Sequence, residues 1–206
     1  MNLRLTLSRR RLVIFSLAGF ALAFALILHL IMISPARQRD PTLLATTGST
    51  PHKQVMATPG LPGRLIIPAI GVDSIVEYVG LTSQGEMGVP KGPDVVAWYN
   101  RGPRPGEKGS SVVDGHFDWE NGGPAVFSNL YKLHKGDKLY IKDEKGATIS
   151  FVVRESRSYD PQADARGVFF SSDGEAHLNL ITCEGAWNKI QKSYSNRLVV
   201  FTDKTL

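Results

Sequence analysis

Residues 178–185 read LNLITCEG, a short apolar run ending on the only cysteine of the 206-residue chain. The run is bounded by turn residues and predicts a β-strand over 177–183. Alternation then sends Thr182 to the face opposite Cys183. A single thiol has no partner for an internal disulfide. It is either a buried small hydrophobe or a group put to use, and the compartment bears on which.

The compartment is read at the N-terminus. Residues 12–33, LVIFSLAGFALAFALILHLIMI, carry no formal charge. As a helix they span roughly 33 Å at about 1.5 Å per residue, which matches a bilayer's hydrocarbon core. A cleaved signal peptide has a shorter apolar region ending in small residues, whereas here Ser34-Pro35-Ala36 puts proline in the cleavage position. Arg4, Arg9, Arg10 and Arg11 precede the span, against Arg37 and Arg39 after it. This bias predicts a cytosolic segment over 1–11, a single transmembrane anchor over 12–33 and all later residues outside the cell. Residues 34–63 are rich in Pro, Ser, Thr and Gly and read as a flexible linker. A folded domain is expected over 64–206.

The pI of about 9.4 does not indicate nucleic acid. Residues 1–63 hold seven Lys/Arg and one Asp, whereas 64–206 hold seventeen Lys/Arg and eighteen Asp/Glu. The surplus belongs to the membrane-proximal segment, and no basic stripe interleaved with aromatics is present. Within 64–206, β-rich runs occur at 64–67, 74–79, 95–99, 111–116, 138–142, 148–154, 177–183 and 197–202. The turn KDEKG at 142–146 separates two of them. Helix is expected only over 125–133, with a turn near 161–166. Many short strands favour a mainly β fold closed into an eight-stranded barrel, which removes exposed edges.

A thiol that acts as a nucleophile needs a base or acid partner, most often histidine. Of the five histidines, His29 lies in the apolar span, His52 in the linker and His134 in a polar turn. His177 shares a strand and a face with Cys183, but six residues at about 3.3 Å each keep them roughly 20 Å apart. His116 ends the run SSVVDGHF beside the glycine-containing loop DWENGG. It reads as a catalytic histidine, a structural one, or a metal ligand together with Asp114 and Asp118, which alternate with it. Arg197 opens the strand after Cys183. If the two strands pair, Arg197 lies within reach of the thiol, where it would stabilise a thiolate or an oxyanion.

The order His116, NLITC and Arg197 resembles the sortases, whose signature is a histidine, a TLxTC strand and an arginine on the next strand. The similarity runs through GRLIIPAIGVDSIVEYVGL, WYNRGPRPGEKGSSVVDGHFD and GPAVFSNLYKLHKGD; GHFD and the last of these stretches are most similar to class F. Papain-like enzymes place cysteine before histidine, and the L,D-transpeptidases carry a Ser-x-Gly-Cys segment absent here. Two positions depart from the family pattern: Asn179 stands where threonine is usual, and Asp114 where a small residue is expected.

The resemblance implies an eight-stranded sortase-type barrel on the extracellular side of a bacterial cell membrane; no cofactor is read from the sequence, and no residue is assigned as a metal ligand. Cys183 would attack between Thr and Gly of an LPXTG-like sorting signal on a surface protein, His116 would protonate the leaving amine, and Arg197 would support substrate or oxyanion. An amino acceptor such as a peptidoglycan precursor would resolve the thioacyl enzyme. Thr182, Asp118 and Trp187 are the expected substrate contacts. An extracytoplasmic cysteine protease, or a catalytically silent anchored binding module, are the alternative readings.

Overall fold

The computed structural model describes residues 58–205. The expected cytosolic segment, the anchor at 12–33 and most of the linker lie outside these residues. Eight strands form in chain order: β1 (Pro62–Ile67), β2 (Val72–Val79), β3 (Val96–Tyr99), β4 (Gly109–Gly115), β5 (Lys138–Asp143), β6 (Thr148–Tyr159), β7 (Ala176–Asn188) and β8 (Ser193–Lys204). They close into a barrel in the order β1-β2-β3-β4-β7-β8-β6-β5, with β5 returning to β1. The β2–β3 and β4–β7 pairs are parallel and the rest antiparallel. All eight expected strands are present.

Alternation decides what each strand turns inward. Leu65 and Ile67 of β1, Val113 of β4, Leu178 and Leu180 of β7, and Leu198 and Val200 of β8 meet in one buried core. The opposite faces of β7 and β8 are apolar at fewer positions. There Val199 and Phe201 pack with Ile181 beneath a single-turn helix, α1 (Arg166–Phe169), through Val168 and Phe169. Asn179 fastens α1 down, its side-chain amide donating to the Val168 carbonyl at 2.6 Å. An amide reaches that carbonyl where threonine's shorter hydroxyl would not.

Two elements differ from expectation. The helix anticipated over 125–133 is a set of tight turns with one 3₁₀ turn at Leu130–Lys132. Phe127, Leu130 and Leu133, spaced by three, are all buried in the core. That spacing suits three residues per turn, in which i and i+3 eclipse. The segment anticipated as a loop between Cys183 and Arg197 is instead mostly hairpin, since β7 runs on to Asn188 and β8 starts at Ser193. Its side chains are largely polar and exposed, so no hydrophobic alternation marked it as strand.

The turn between β5 and β6 rests on one carboxylate. Buried Asp143 accepts the backbone N–H groups of Lys145 and Ala147 inside the turn, and that of Gly60 ahead of β1 at 2.8 Å. These bonds, led by that from Gly60, hold its pKa below the ordinary value. A depressed folded-state pKa contributes stability that is fully present above the unfolded value of about 4 and lost as pH falls through the folded one. Asp143→Ala should therefore lower the melting temperature at pH 7, with the gap to wild type narrowing as pH drops below about 4. Thermal melts across that range provide the check; a gap independent of pH would show that the carboxylate's charge contributes nothing.

Candidate active site

Three adjacent strands carry the site. Strand β4 pairs with β7 in parallel, with Val113 opposite Leu180 and Asp114 opposite Ile181. Continued two residues past that last pair, the same offset sets His116, which follows β4, abreast of Cys183. The hydroxyl of Thr182 donates to the Gly115 carbonyl at 2.7 Å, holding the two backbones together at this point. On the other side of β7, Cys183 lies directly opposite Arg197 of β8. Because Leu178, Leu180, Leu198 and Val200 face the core, alternation turns Asn179, Ile181, Cys183, Arg197 and Val199 to the outer face. Val113 faces the core as well, so Asp114 and His116 also turn outward.

The result is a row of His116, Cys183 and Arg197 across β4, β7 and β8, with Asp114, Ile181 and Val199 as the row beside it. Neighbouring strands lie about 4.8 Å apart, so groups in one row stand within reach of each other. His177 lies far along β7 as expected. It is buried and held between the carboxylates of Asp203, at 2.8 Å, and Asp173.

Gly115 explains why the histidine follows a glycine. A Cβ there would lie 2.5 Å from the buried Phe127 ring, so any side chain would push apart the backbone that delivers His116. His116 Nε2 sits 2.8 Å from the Pro90 carbonyl. A carbonyl only accepts, so Nε2 carries the proton and Nδ1 is the nitrogen free to exchange one. The ring of Trp119 packs edge-on against the imidazole at 5.1 Å.

Arg197 is held in place by its own hairpin, donating to the carbonyls of Asn196 at 3.0 Å and Tyr194 at 3.3 Å and to the Ser193 hydroxyl. Among the described residues it makes no ion pair, so its charge is free to act on the site. Burial pushes the Cys183 thiol above its ordinary pKa; Arg197 pulls it down, while Asp114 and Asp118 push it further up. Cys183 therefore rests as a neutral thiol near pH 7. Burial also raises Asp114, to about 7, against a downward pull from Arg197 and from the Gly115 N–H. Asp114 therefore titrates close to neutral pH.

The remaining expected residues fall on either side of this row. Asp118 accepts a short hydrogen bond from the Tyr194 hydroxyl, and the Tyr194 ring contacts Phe117 and Trp187 edge-on. Burial, reinforced by Asp118, pushes Tyr194 up to about 12. His116, Asp118, Trp119, Trp187 and Tyr194 line one hollow. Arg197 and Asp114 line a separate groove of about 560 Å³, walled by Met87 and Val89 on one side and by Ala163 and Phe169 on the other. Thr182, turned inward and almost wholly buried, binds the strands together. Pro90, Tyr194 and Trp119 carried no sequence signal, since each reaches the site from a loop or hairpin whose path only the fold reveals.

A family model described as Sortase domain matches residues 65–205. Among solved structures, the chain is similar to sortase C-1 from Actinomyces oris, at 24% identity over 69% of this chain and 73% of that one, with a TM-score of 0.54. It is similar to Group B Streptococcus Pilus Island 1 sortase C2, at 25% identity over 70% and 73%, with a TM-score of 0.55. A lid mutant of sortase A from Corynebacterium diphtheriae matches at 20% identity over 73% of both chains, with a TM-score of 0.56. A search of curated proteins finds no match. With the family match running the length of the barrel, on a chain whose one thiol stands between a histidine and an arginine, this protein belongs to the sortase family of cysteine transpeptidases.

Proposed function

We propose that the protein is a membrane-anchored sortase that cleaves an LPXTG-like signal between Thr and Gly and transfers the upstream chain to an amino acceptor of the cell wall. The observation that carries this reading is the single row of His116, Cys183 and Arg197 across three hydrogen-bonded strands. The anchor is residues 12–33, with the barrel on the extracellular side. The GHFD and GPAVFSNLYKLHKGD stretches support placement with class F.

The chemistry follows from the resting charges. Cys183 is a thiol before substrate binds, so acylation starts with transfer of its proton, and Nδ1 of His116 is the available acceptor. The sulfur then forms a bond to the Thr carbonyl carbon. The carbonyl electrons move onto oxygen, where Arg197 supplies positive charge. As the C–N bond to Gly breaks, the imidazolium returns its proton to the departing amine. The substrate's main chain would lie in the groove containing Arg197, while Asp118 and Trp187 border the imidazole and Thr182 keeps the thiol strand in register.

Incubating detergent-extracted full-length protein with LPXTG-like peptides, and following the thioacyl adduct by mass spectrometry, tests this reading. Cys183→Ala and Cys183→Ser should form no adduct. His116→Ala should lose at least about a hundredfold in turnover through loss of the proton carrier. An adduct on the cysteine variants, or full activity without His116, would overturn the assignment. Arg197→Ala should retain almost no activity and Arg197→Lys part of it, because lysine keeps the charge but not the planar fork.

The groove carboxylate adds a pH signature. Asp114 is ionised above about pH 7, and in that form it disfavours the thiolate. Asp114→Asn should therefore leave the rate of Cys183 alkylation by iodoacetamide nearly unchanged at pH 6, where Asp114 is protonated. At pH 8.5 it should raise that rate roughly threefold to tenfold, since one pKa unit is a tenfold change in thiolate. Parallel pH profiles for wild type and variant would show that Asp114 does not act on the sulfur.

A further inference from the structure

The floor of the Arg197 groove carries one carboxylate. Asp114 lines that groove with Ile181 and Val199, its neighbours in the row beside the reacting groups, and with Val168 and Phe169 of α1. All four of these companions are apolar. Glu86 and Asp160 also line the groove but are exposed, whereas Asp114 is half-buried. Arg197, whose charge acts on Asp114, directs its donors elsewhere, to the carbonyls of Tyr194 and Asn196 and to the Ser193 hydroxyl. Beyond the adjacent Gly115 N–H, no donor among the described residues serves the Asp114 carboxylate, in hydrogen bond or ion pair. A carboxylate left on an apolar floor without donors is costly, and a peptide laid in the groove can supply one.

Strand register decides which part of the peptide that is. Asp114 pairs with Ile181, two residues before Cys183. Its row therefore stands about 6.6 Å along the strands from the thiol, and its charge acts on the sulfur. At about 3.3 Å per residue of extended chain, only the residue acylated on Cys183 and the one before it lie between these two rows. Alternation separates their side chains. In an LPXTG-like signal the X side chain is unspecified, so it points away from the sheet, and the threonine after it points to the floor. The threonine hydroxyl then falls between the sulfur and the Asp114 carboxylate, a donor facing an acceptor. A small residue, which the family pattern has at this position, provides no such acceptor.

We propose that Asp114 is a specificity-determining residue that selects threonine at the cleavage position by accepting a hydrogen bond from its side-chain hydroxyl. The proposal rests on the sortase reading given above. No proton changes hands: the hydroxyl donates and the carboxylate accepts. Valine, similar in size but without the hydroxyl, would cover the carboxylate and leave it unpaired. A site built around such an acceptor rejects an analogue lacking the donor far more strongly than an apolar pocket rejects a change of one methyl group.

The test uses full-length protein at pH 8.5, where Asp114 is ionised, with an LPATG peptide and its counterparts carrying Val or Ser in place of Thr. For each, kcat/KM of cleavage is measured. Wild type should prefer Thr to Val by at least about tenfold, the worth of one hydrogen bond to a charged group. Asp114→Ala should cut this preference about tenfold. Asp114→Asn, which keeps an acceptor oxygen but loses the charge, should cut it about threefold. The preference for Thr over Ser, which share the hydroxyl, should be the same in all three proteins. Any action of Asp114 on the thiol is common to the three peptides and cancels in these ratios. Should the Ala variant fail to fold, the Asn variant carries the same test. A Thr-to-Val ratio unchanged in the variants, all three peptides changing together, or wild type cleaving the Val peptide as readily as the Thr peptide would overturn the role of Asp114 while leaving the sortase reading intact. Failure of wild type to form a thioacyl adduct with any of the peptides would overturn both.

Discussion

Strands β4 and β7 run side by side in the same direction although the residues they join lie 67 positions apart, as Thr182 and Gly115 do. On this pairing the rest of the site depends. It fixes which residue of β4 stands level with the thiol, and a slip of one residue would turn His116 into the core and Gly115 outward. Two local features guard the register. The Thr182 hydroxyl closes on the Gly115 carbonyl, and Phe127 fills the space that any side chain at 115 would need. The row of reacting groups is thus a property of the backbone ladder rather than of flexible loops, and the loops around it supply only contacts.

Electrostatics in the row are opposed rather than uniformly activating. Burial keeps the thiol protonated, and two carboxylates add to that effect, while one guanidinium works against it. A resting thiol reacts slowly with adventitious electrophiles, an advantage for a group that no disulfide protects. Substrate entering the groove would displace water, leaving Arg197 to act through a medium of lower dielectric constant, where its charge counts for more.

Much of this was legible in the sequence. All eight strands, the turn at 142–146, and the order of His116, Cys183 and Arg197 could be read from β-propensity, turn residues and reach along a strand. What escaped has common physical causes. The hairpin beyond Cys183 is exposed on both faces and so has no hydrophobic period. The run at 125–133 buries its apolar residues at intervals of three, which a sequence reading takes for α-helix. The carbonyl of Pro90 behind His116 and the Tyr194 hydroxyl on Asp118 are juxtapositions of residues distant in sequence, set by the fold rather than by neighbours in the chain. Asn179 was visible as an odd residue in its motif, and its bond to α1 supplies the reason.

Parallel pairing of β4 and β7 also has a bearing on how such a protein can change. Parallel neighbours cannot be joined by a tight turn, so the chain leaves the site after His116, lays down β5, β6 and α1, and re-enters β7 from the opposite end of the barrel. The histidine and the cysteine therefore stand at the two ends of a long detour, yet their alignment is set by the ladder alone. Insertions or deletions in the loops of that detour need not alter the spacing of the reacting atoms, whereas the same changes could remodel the wall that α1 and its neighbours present to an incoming peptide. One and the same catalytic row could in this way serve many lineages with different clients, diversifying by the length of what lies between its members.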